Sequence, residues 1–175
     1  MTDLNLINKT ISINEIDALI FDFDGVLTNN LVYIDENGKE SVRCCRADGL
    51  AFDVLRKINK PAYILSTEKN TVVSFRAKKM QVPVIQGVDN KVSALLELVE
   101  KESYQLSKLL YVGNDLNDYK AMQLCGLSAC PINSHDKIKK ISTFVLNTEG
   151  GEGVARELIE EILSLDFINI LYAQE

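Results

Sequence analysis

Two aspartates, Asp22 and Asp24, stand at the end of an apolar run near the start of the chain, Ala18–Phe23. If this run is a strand, residues i and i+2 share a face, so the two carboxylates project together. Paired carboxylates repel each other unless a cation or a shared proton relieves the repulsion. A solvated acidic turn is the alternative interpretation, but the flanking Phe21 and Phe23 favour a functional pair.

Three further polar groups follow apolar runs or turn residues later in the chain. Ser66-Thr67 supplies hydroxyls, and Lys91 supplies an ammonium group that could neutralise phosphate charge. The loop 113–118, Gly-Asn-Asp-Leu-Asn-Asp, supplies carboxylate and amide oxygens. Because the carboxyl ends of parallel strands meet at one edge of a sheet, these groups could converge on one phosphate and one Mg²⁺.

The elements that must position these groups are strands and helices in alternation. This alternation predicts an α/β fold, a three-layer, doubly wound parallel sheet with helices on both faces. The predicted strands are Ala18–Phe23, Ala62–Leu65, Val84–Gln86 and Leu109–Val112. Helices are predicted from apolar stripes within 92–99 and 154–162, and over Asn70–Lys79 and Asn117–Leu124.

One segment, Leu31–Arg43, alternates as two strands around Asn37-Gly38, the strongest short hairpin signal. We therefore predict a β-hairpin flap inserted after the first parallel strand. No linker or repeat divides the chain, so residues 1–175 are expected to form a single domain. Its core spans about 17–164, the flap 31–43 and the C-terminal tail 165–175.

Composition narrows the class of partner. The 175 residues carry 25 acidic and 19 basic side chains, a formal charge of −6. This balance argues against nucleic acid but is compatible with a phosphorylated small molecule if a divalent cation lies between. The single His and the spacing of the four Cys disfavour a zinc site. With no membrane-length apolar run and no targeting signal, a cytoplasmic protein with reduced thiols is expected.

Taken in order, the motifs resemble the haloacid dehalogenase-like (HAD) phosphohydrolase superfamily from Ile20 to about Leu163. The resemblance is to a small capless branch, which holds 3-deoxy-octulosonate 8-phosphate phosphatases, nonulosonate 9-phosphate phosphatases and the HAD domain associated with acylneuraminate cytidylyltransferases. The matching segments are Phe21–Thr28, Arg46–Gly49, Ser66–Lys69, Gly87–Lys91, Gly113–Asp118 and Gly150–Gly153 leading into Arg156-Glu157.

The resemblance implies a Mg²⁺-dependent phosphatase. Asp22 would attack phosphorus to form an aspartyl-phosphate, and Asp24 would act as general acid and then as general base. The groups implied to bind phosphate are Ser66, Thr67 and Lys91. The implied metal ligands are Asp22, Asp24 through its backbone carbonyl, and the loop residues Asn114, Asp115 and Asp118. Many relatives have an acid in place of Asn114, so either its amide oxygen or Asp115 binds the metal.

The gaps between motifs are too short for the cap domain of larger relatives. Thr28 to Ser66 holds only the hairpin and one helix. The resemblance implies a homotetramer in which a neighbour's hairpin and tail cover the site. The apolar segment 167–172 suits such docking, and a last turn of core-packing helix is an equally good interpretation.

Substrate choice depends on weaker signals. Glu68-Lys69 resembles the nonulosonate type more than the octulosonate type. A phosphorylated 2-keto-3-deoxy sugar acid of sialic-acid-like or KDO biosynthesis is therefore expected, with a nonulosonate 9-phosphate ahead of an octulosonate 8-phosphate. The candidate substrate-binding residues are Arg46, Asp48, Glu68, Arg76 and Lys79, although solvated positions or an Arg46–Asp48 pair are equally good interpretations of the basic residues.

Two other functions compete with the phosphatase. The chain could be a weakly active or inactive module for oligomerisation or regulation of a cytidylyltransferase partner. It could also be a response-regulator receiver, which shares an acid cluster, a hydroxyl and a lysine, but the order of the motifs does not fit. Gly150–Gly153 could form a phosphate nest, and His135 is expected in a loop.

Overall fold

The computed structural model describes residues 11–173, and its centre is a six-stranded parallel sheet. The strands are β1 Ala18–Phe21, β4 Ala62–Ser66, β5 Val84–Gln86, β6 Leu109–Val112, β7 Leu127–Cys130 and β8 Phe144–Val145. Their order in the sheet is β5-β4-β1-β6-β7-β8, so β1 lies between β4 and β6. The chain builds β4 and β5 on one side of β1, then crosses to build β6, β7 and β8 on the other.

Helices cover both faces of the sheet. Along β1, Leu19 and Phe21 pack into one apolar cluster, and Ala18 and Ile20 into another. This alternation is what a strand buried on both faces requires. The first face carries α1 Ala47–Lys57, α2 Val72–Met80, α6 Val154–Glu157 with the π-helical turn Leu158–Ile162, and α7 Phe167–Tyr172. The second carries α3 Lys91–Glu102, α4 Tyr119–Leu124 and α5 Asp136–Ile141.

The predicted three-layer α/β class is confirmed, but several boundaries were wrong. β1 ends at Phe21 rather than Phe23, because the Phe23 carbonyl accepts the backbone N–H groups of three following residues and closes a turn. Asp22 and Asp24 therefore do not project together by strand alternation. Helix α4 begins at Tyr119 rather than Asn117, because the Asp118 N–H donates to the Asp115 carbonyl and keeps the preceding residues in a turn.

The hairpin is present but much shorter than Leu31–Arg43. Its paired strands are β2 Tyr33–Ile34 and β3 Glu40–Ser41, which run antiparallel. Asp35 closes the turn, because its Oδ1 accepts the backbone N–H groups of residues 37 and 39. A bridge between Thr28 and Cys44 joins the base of the hairpin to the turn after β1.

The C-terminal helix α7 packs against its own chain. Phe167 is buried beside the core, and the Arg156 guanidinium lies 4.2 Å from the centre of its ring. Ile168 and Tyr172 point outward and are 73% and 66% exposed. The core-packing interpretation of segment 167–172 therefore describes one face of α7 and leaves the other face open.

The position of the site follows from the order of the strands. In a doubly wound sheet, ligands bind at the carboxyl ends of the strands where the strand order reverses. Here that point lies between β1 and β6, and the loops that follow these strands carry Asp22 and Gly113–Asp118. Across residues 11–173, no helix is both long enough and apolar enough to cross a membrane.

Candidate active site

Asp22 and Asp24 lie on one cavity of about 280 Å³ at the carboxyl edge of the sheet. Asp22 continues the line of β1 for one residue, since its N–H donates to the Val112 carbonyl at 2.9 Å. The turn that follows then brings Asp24 round to the same cavity. The two carboxylates are thus placed together by the turn at Phe23 rather than by strand pleating. The other residues around the cavity are Asn30, Thr67, Asn114, Asp115, Leu116 and Asn117.

A buried lysine connects the two acidic loops. Lys91 Nζ lies 2.7 Å from Asp22 Oδ1 and 2.7 Å from Asp118 Oδ1. As predicted, Lys91 opens a helix, and Asn90 caps that helix by accepting the N–H of Val92 at 2.9 Å. The side chains of Lys91, Asp22 and Asp118 are 1%, 4% and 0% exposed. Charges this well buried depend on one another for compensation.

Asp118 is fully engaged by donors within the protein. Its Oδ1 also accepts the Tyr111 hydroxyl at 3.0 Å, and its Oδ2 accepts the backbone N–H groups of Asn114 at 3.0 Å and Asp115 at 3.4 Å. A Cβ at Gly113 would lie 2.6 Å from the carboxyl carbon of Asp118, so glycine allows the loop to close over this carboxylate. These contacts make Asp118 an organiser of the loop and leave it poorly placed as a metal ligand.

Burial and neighbouring charges have opposing effects on the pKa values of Asp22 and Lys91. Burial raises the pKa of Asp22 and the charge of Asp118 raises it further, whereas Lys91 lowers it. Burial by itself lowers the pKa of Lys91. The charges of Asp22 and Asp118 together have a larger effect in the other direction, so the pKa of Lys91 is raised. The Lys91 ammonium lies 2.7 Å from a carboxyl oxygen of Asp22 and of Asp118, and this geometry holds Lys91 and Asp22 as a charged pair.

Asp24 has an environment that suits an acid. Burial raises its pKa, the charges of Glu68 and Glu40 raise it further, and Lys91 lowers it. A raised pKa keeps the proton available at higher pH, as proton donation to a leaving group requires. Burial and the neighbouring carboxylates raise the pKa of Tyr111 well above its usual value, so its hydroxyl stays protonated and donates.

Asn114 completes a group of oxygen atoms that could hold a hard cation. One terminal atom of its amide faces both the Asp24 carbonyl oxygen and Asp22 Oδ2, and the other lies beside Gly25. If the facing atom is the nitrogen, it donates to the two oxygens at 2.8 Å and 3.3 Å; if it is the oxygen, three oxygens converge. Among residues 11–173, no cluster of three or more His, Cys, Asp and Glu side chains could hold a metal. One carboxylate, a carbonyl and an amide, completed by water, nevertheless fit Mg²⁺.

Gly25 is required for this arrangement. Its φ is +81°, and a Cβ there would lie 1.9 Å from Asn114 Nδ2. We expect Gly25→Ala to lower catalytic activity at this site at least about 100-fold, because a displacement near 1 Å at a reacting centre has effects of that order. We also expect it to lower the free energy of unfolding by about 2 kcal/mol, through left-handed backbone strain and overpacking. Steady-state kinetics and urea unfolding check these values.

Gly38 provides the matched control for this substitution. Its φ is +76°, but a Cβ there would have no atom within 4 Å. Gly38→Ala should therefore carry the backbone strain, about 1 kcal/mol, without disturbing the site. Equal losses of activity in the two variants would contradict the role given to Gly25.

The predicted phosphate-binding hydroxyls occupy different positions. Thr67 lies on the cavity, whereas Ser66 is buried at the end of β4 and its Oγ accepts the N–H of Glu68 at 3.1 Å. Asn30 also lies on the cavity and was not predicted. It has a φ of 63°, a conformation that Asn tolerates better than most residues, and this Asn in the turn after β1 was the available signal.

The predicted substrate-binding residues do not gather at the cavity. Arg46, Arg76 and Lys79 lie on a separate cavity of about 240 Å³ between α1 and α2, and Arg76 Nη2 donates to the Cys45 carbonyl at 2.7 Å. Of the five, Glu68 is the one whose charge acts on Asp24. Asp48 is 1% exposed and caps α6, since its Oδ1 accepts the N–H groups of residues 155 and 156 at 2.9 Å and 3.3 Å.

Asp48 should make stability depend on pH. Burial raises its pKa to about 6, and within residues 11–173 its Oδ2 has no hydrogen-bond partner. Because the folded-state pKa exceeds the unfolded value, the folded state binds the proton more tightly, and stability falls as pH rises from about 4 through about 6. Relative to Asp48→Asn, the wild type should lose up to about 3 kcal/mol of unfolding free energy over that window.

Urea unfolding at pH 4.5 and pH 7.5 measures this difference. Asp53→Asn is the matched control, because Asp53 lies on the same helix with a 41% exposed side chain. Its pH-dependent effect should stay within about 0.5 kcal/mol. A difference between wild type and Asp48→Asn that is equal at both pH values would contradict the expectation.

Two other segments, the glycine run at Gly150 and the start of α5 at His135, contact the backbone of site residues. A Cβ at Gly150 would lie 2.2 Å from the Gly25 carbonyl oxygen, so the glycine run allows close approach to the turn after β1, and it does not lie on the cavity. His135 begins α5 as its cap, and its backbone N–H donates to the Asn114 carbonyl at 2.9 Å. The four cysteines are free thiols, as expected.

Comparison with known proteins agrees with this geometry. A profile of the haloacid dehalogenase-like hydrolases matches residues 50–158. The 3-deoxy-D-manno-octulosonate 8-phosphate phosphatase KdsC of Salmonella typhi is 32% identical over 149 residues, which cover 85% of this chain and 79% of that protein. N-acylneuraminate cytidylyltransferase A of Danio rerio is 26% identical over 150 residues, 84% of this chain and 35% of that protein.

A solved structure shares the fold. The 3-deoxy-D-manno-octulosonate 8-phosphate phosphatase of Moraxella catarrhalis, determined in complex with magnesium, phosphate and KDO, superposes with a TM-score of 0.82 at 29% identity. The match covers 87% of this chain and 88% of that one. The chain therefore belongs to the haloacid dehalogenase-like hydrolases. It is an enzyme of that family, and the phosphatases among its relatives are phosphoric monoester hydrolases.

Proposed function

We propose that the protein is a Mg²⁺-dependent phosphatase of phosphorylated 2-keto-3-deoxy sugar acids. The single observation that carries the proposal is the arrangement at the edge of the sheet. Asp22, Asp24 and the neutral amide of Asn114 lie on one cavity. Asp22 is buried and paired with the buried Lys91, and the pKa of Asp24 is raised. The relatives at 32% and 29% identity bear the name of octulosonate 8-phosphate phosphatases, which supports this substrate class.

The first half of the proposed reaction transfers the phosphoryl group to Asp22. Asp22 Oδ1 forms a bond to phosphorus, the bond from phosphorus to the sugar oxygen breaks, and Asp24 donates its proton to that oxygen. Asp22 Oδ1 is held for this by Lys91 and by the Phe23 N–H at 2.7 Å. Lys91 thus lies beside the phosphate oxygens and offsets their charge.

The second half releases phosphate. Asp24 now takes a proton from water, the water oxygen forms a bond to phosphorus, and the bond to Asp22 Oδ1 breaks. Thr67 and Ser66 are the proposed hydroxyl donors to phosphate. Thr67 lies on the cavity, and the Ser66 Oγ accepts the N–H of Glu68 while its own O–H stays available to donate. This sequence restores both carboxyl groups to their starting states, as catalysis requires.

The proposed metal ligands are Asp22 Oδ2, the Asp24 carbonyl and Asn114 Oδ1, with Asp115 as an exposed neighbour. Bound there, Mg²⁺ would screen the repulsion between carboxylate and phosphate and stabilise charge in the transition state. Asp118, given as a ligand by the resemblance, is proposed instead to position Lys91 and the loop.

Phosphate release from matched eight- and nine-carbon substrates tests the substrate class. We expect release from 2-keto-3-deoxy sugar-acid phosphates, with a nonulosonate 9-phosphate at least as good as an octulosonate 8-phosphate because of Glu68-Lys69. A simple hexose phosphate serves as control. Equal kcat/KM on the hexose phosphate would contradict selectivity for sugar acids.

A module that regulates a cytidylyltransferase is the second candidate, favoured by the similarity to 35% of the Danio rerio enzyme's length. A module without catalysis has no reason to bind Mg²⁺. Calorimetry therefore separates the two, because uptake of about one Mg²⁺ per chain supports the phosphatase. No uptake, together with no phosphate release, would favour the module.

Assembly into a homotetramer remains part of the proposal. Four consecutive apolar residues of the hairpin segment, Leu31–Ile34, are 51–66% exposed, and exposed apolar patches mark interaction sites. Covering by a second copy would bury this patch and close the open cavity over the aspartyl-phosphate. Light scattering that gives the mass of one chain at working concentration would contradict this arrangement.

A further inference from the structure

We propose that Asn114 is a two-position latch. Its amide nitrogen ties Asp22 to the Asp24 carbonyl when no metal is bound, and its amide oxygen turns inward when a cation binds. The inference deepens the proposed function, because it takes the cation to bind where that function requires it. Its first half, the latch in the metal-free protein, does not depend on the metal.

The hydrogen bonds of the latch satisfy two otherwise unpaired acceptors. With nitrogen inward, the amide donates to the Asp24 carbonyl at 2.8 Å and to Asp22 Oδ2 at 3.3 Å. No other donor reaches either oxygen within the part of the chain that the structure describes. Without this amide, each of the two oxygens would lose its hydrogen-bond donor from the protein, which costs free energy.

The backbone of Asn114 is fixed by hydrogen bonds, so its side-chain amide can rotate while the backbone stays in place. Its backbone N–H donates to Asp118 Oδ2, and its backbone carbonyl accepts the N–H of His135. The residue is 7% exposed, and the space a Cβ would take at Gly25 is filled by the amide. The last torsion of Asn is broad and roughly two-fold, so a half turn exchanges nitrogen and oxygen without moving the backbone.

An aspartate at this position would behave differently in the two states. It would add a formal charge to the metal site and so bind a cation more tightly. Without metal it would place a second carboxylate about 3 Å from Asp22 Oδ2, where like charges repel. The neutral amide therefore weakens metal binding and stabilises the metal-free site.

Asn114→Asp tests the latch through two readouts that do not involve activity. At pH 8, calorimetry should give a Mg²⁺ dissociation constant about tenfold or more lower than that of the wild type, since the added charge contacts the cation. In EDTA the melting temperature should fall by several degrees, about what the loss of 1–2 kcal/mol produces in a domain of this size. Saturating Mg²⁺ should remove this difference.

Asn37→Asp is the matched control. Asn37 is exposed in the hairpin turn and does not line the cavity, so the substitution adds the same charge away from Asp22. Its Mg²⁺ affinity and its melting temperature in EDTA should change much less. Equal effects of the two substitutions in EDTA, or no gain of affinity in Asn114→Asp, would overturn the latch. If the wild type itself took up no Mg²⁺, the metal of the proposed function would fail, and the EDTA result would still decide the first half.

A measurement on the wild type avoids any failure of the variant to fold. The side-chain amide protons of Asn114, assigned by their absence in Asn114→Asp or Asn114→Ala, should exchange slowly with solvent in EDTA. On addition of Mg²⁺ their shifts should change and their exchange should accelerate, because the nitrogen no longer donates to the Asp24 carbonyl and Asp22 Oδ2 and lies instead beside Gly25. Rapid exchange in EDTA, or protons that stay protected with Mg²⁺ bound, would overturn the proposal.

Discussion

Asp22→Asn is expected to abolish phosphate release, with a loss of at least about 10⁴-fold in kcat. The amide has almost the shape of the carboxylate but cannot form the bond to phosphorus. The variant removes one of two carboxylates that face the single Lys91 ammonium, and Lys91 keeps Asp118 as its partner at 2.7 Å, so the free energy of unfolding should stay close to that of the wild type. Phosphate assay and thermal unfolding, run side by side, separate loss of chemistry from loss of fold.

The covalent step gives this prediction a second readout. Acid-quenched wild-type enzyme should carry a phosphoryl group on the peptide that contains Asp22, and the variant should carry none. Asp89→Asn is the control, since the Asp89 side chain is 97% exposed. Residual activity of Asp22→Asn within tenfold of the wild type would mean that another group attacks phosphorus.

Lys91→Met is expected to damage stability and activity together. Methionine fills a similar volume but leaves Asp22 and Asp118 without the cation that lies 2.7 Å from each. Removing one partner from a buried ionic group costs about 3–5 kcal/mol of unfolding free energy. Loss of the charge beside the phosphate should also lower kcat at least about 100-fold. Urea unfolding and phosphate release at pH 7.5 measure the two effects.

A second variant shows whether buried charge is the cause. In Lys91→Met with Asp118→Asn, one of the two uncompensated carboxylates is gone, so stability should partly return while activity stays low. The double-mutant cycle isolates this coupling. Lys101→Met, on the exposed side of the same helix, should stay within about 0.5 kcal/mol of the wild type. A fully additive cycle would argue against the Asp22–Lys91–Asp118 network.

The sequence was sufficient to predict the class of fold and that Asp22, Asp24 and the loop 113–118 meet at one edge of the sheet. Two of the four predicted strands match to the residue, and Lys91 opens its helix, because short buried strands and an Asn cap are local signals. The meeting of Asp22 with the loop 113–118 followed from a general property of parallel sheets, that their carboxyl ends share one edge.

The roles of individual polar groups could not be predicted in the same way. Asp118 accepts hydrogen bonds from Lys91 and Tyr111, which come from other elements, so its full engagement depends on tertiary packing. The basic residues Arg46 and Arg76 fall in a cavity away from Asp22, because the packing of α1 on α2 sets their direction. The paired part of the hairpin ends at Ile34 and Glu40, next to the turn that Asp35 closes, and the apolar side chains of Leu31–Ile34 lie outside both apolar clusters of residues 11–173 and stay exposed.

The glycines show a similar limit. Gly150–Gly153 fits a phosphate nest from its sequence, yet the structure uses Gly150 for contact with the backbone of Gly25. Gly25 in turn makes room for Asn114. Such close approaches join segments more than 80 residues apart, and no local pattern encodes them.

Phosphate release from a 2-keto-3-deoxy sugar-acid phosphate, with saturating Mg²⁺ and with EDTA, tests the central claim most directly. We predict many turnovers with Mg²⁺, a rate at least about 100-fold lower with EDTA, and no release by Asp22→Asn in either condition. Equal rates with and without Mg²⁺, or an inert wild type on both eight- and nine-carbon substrates, would contradict the account.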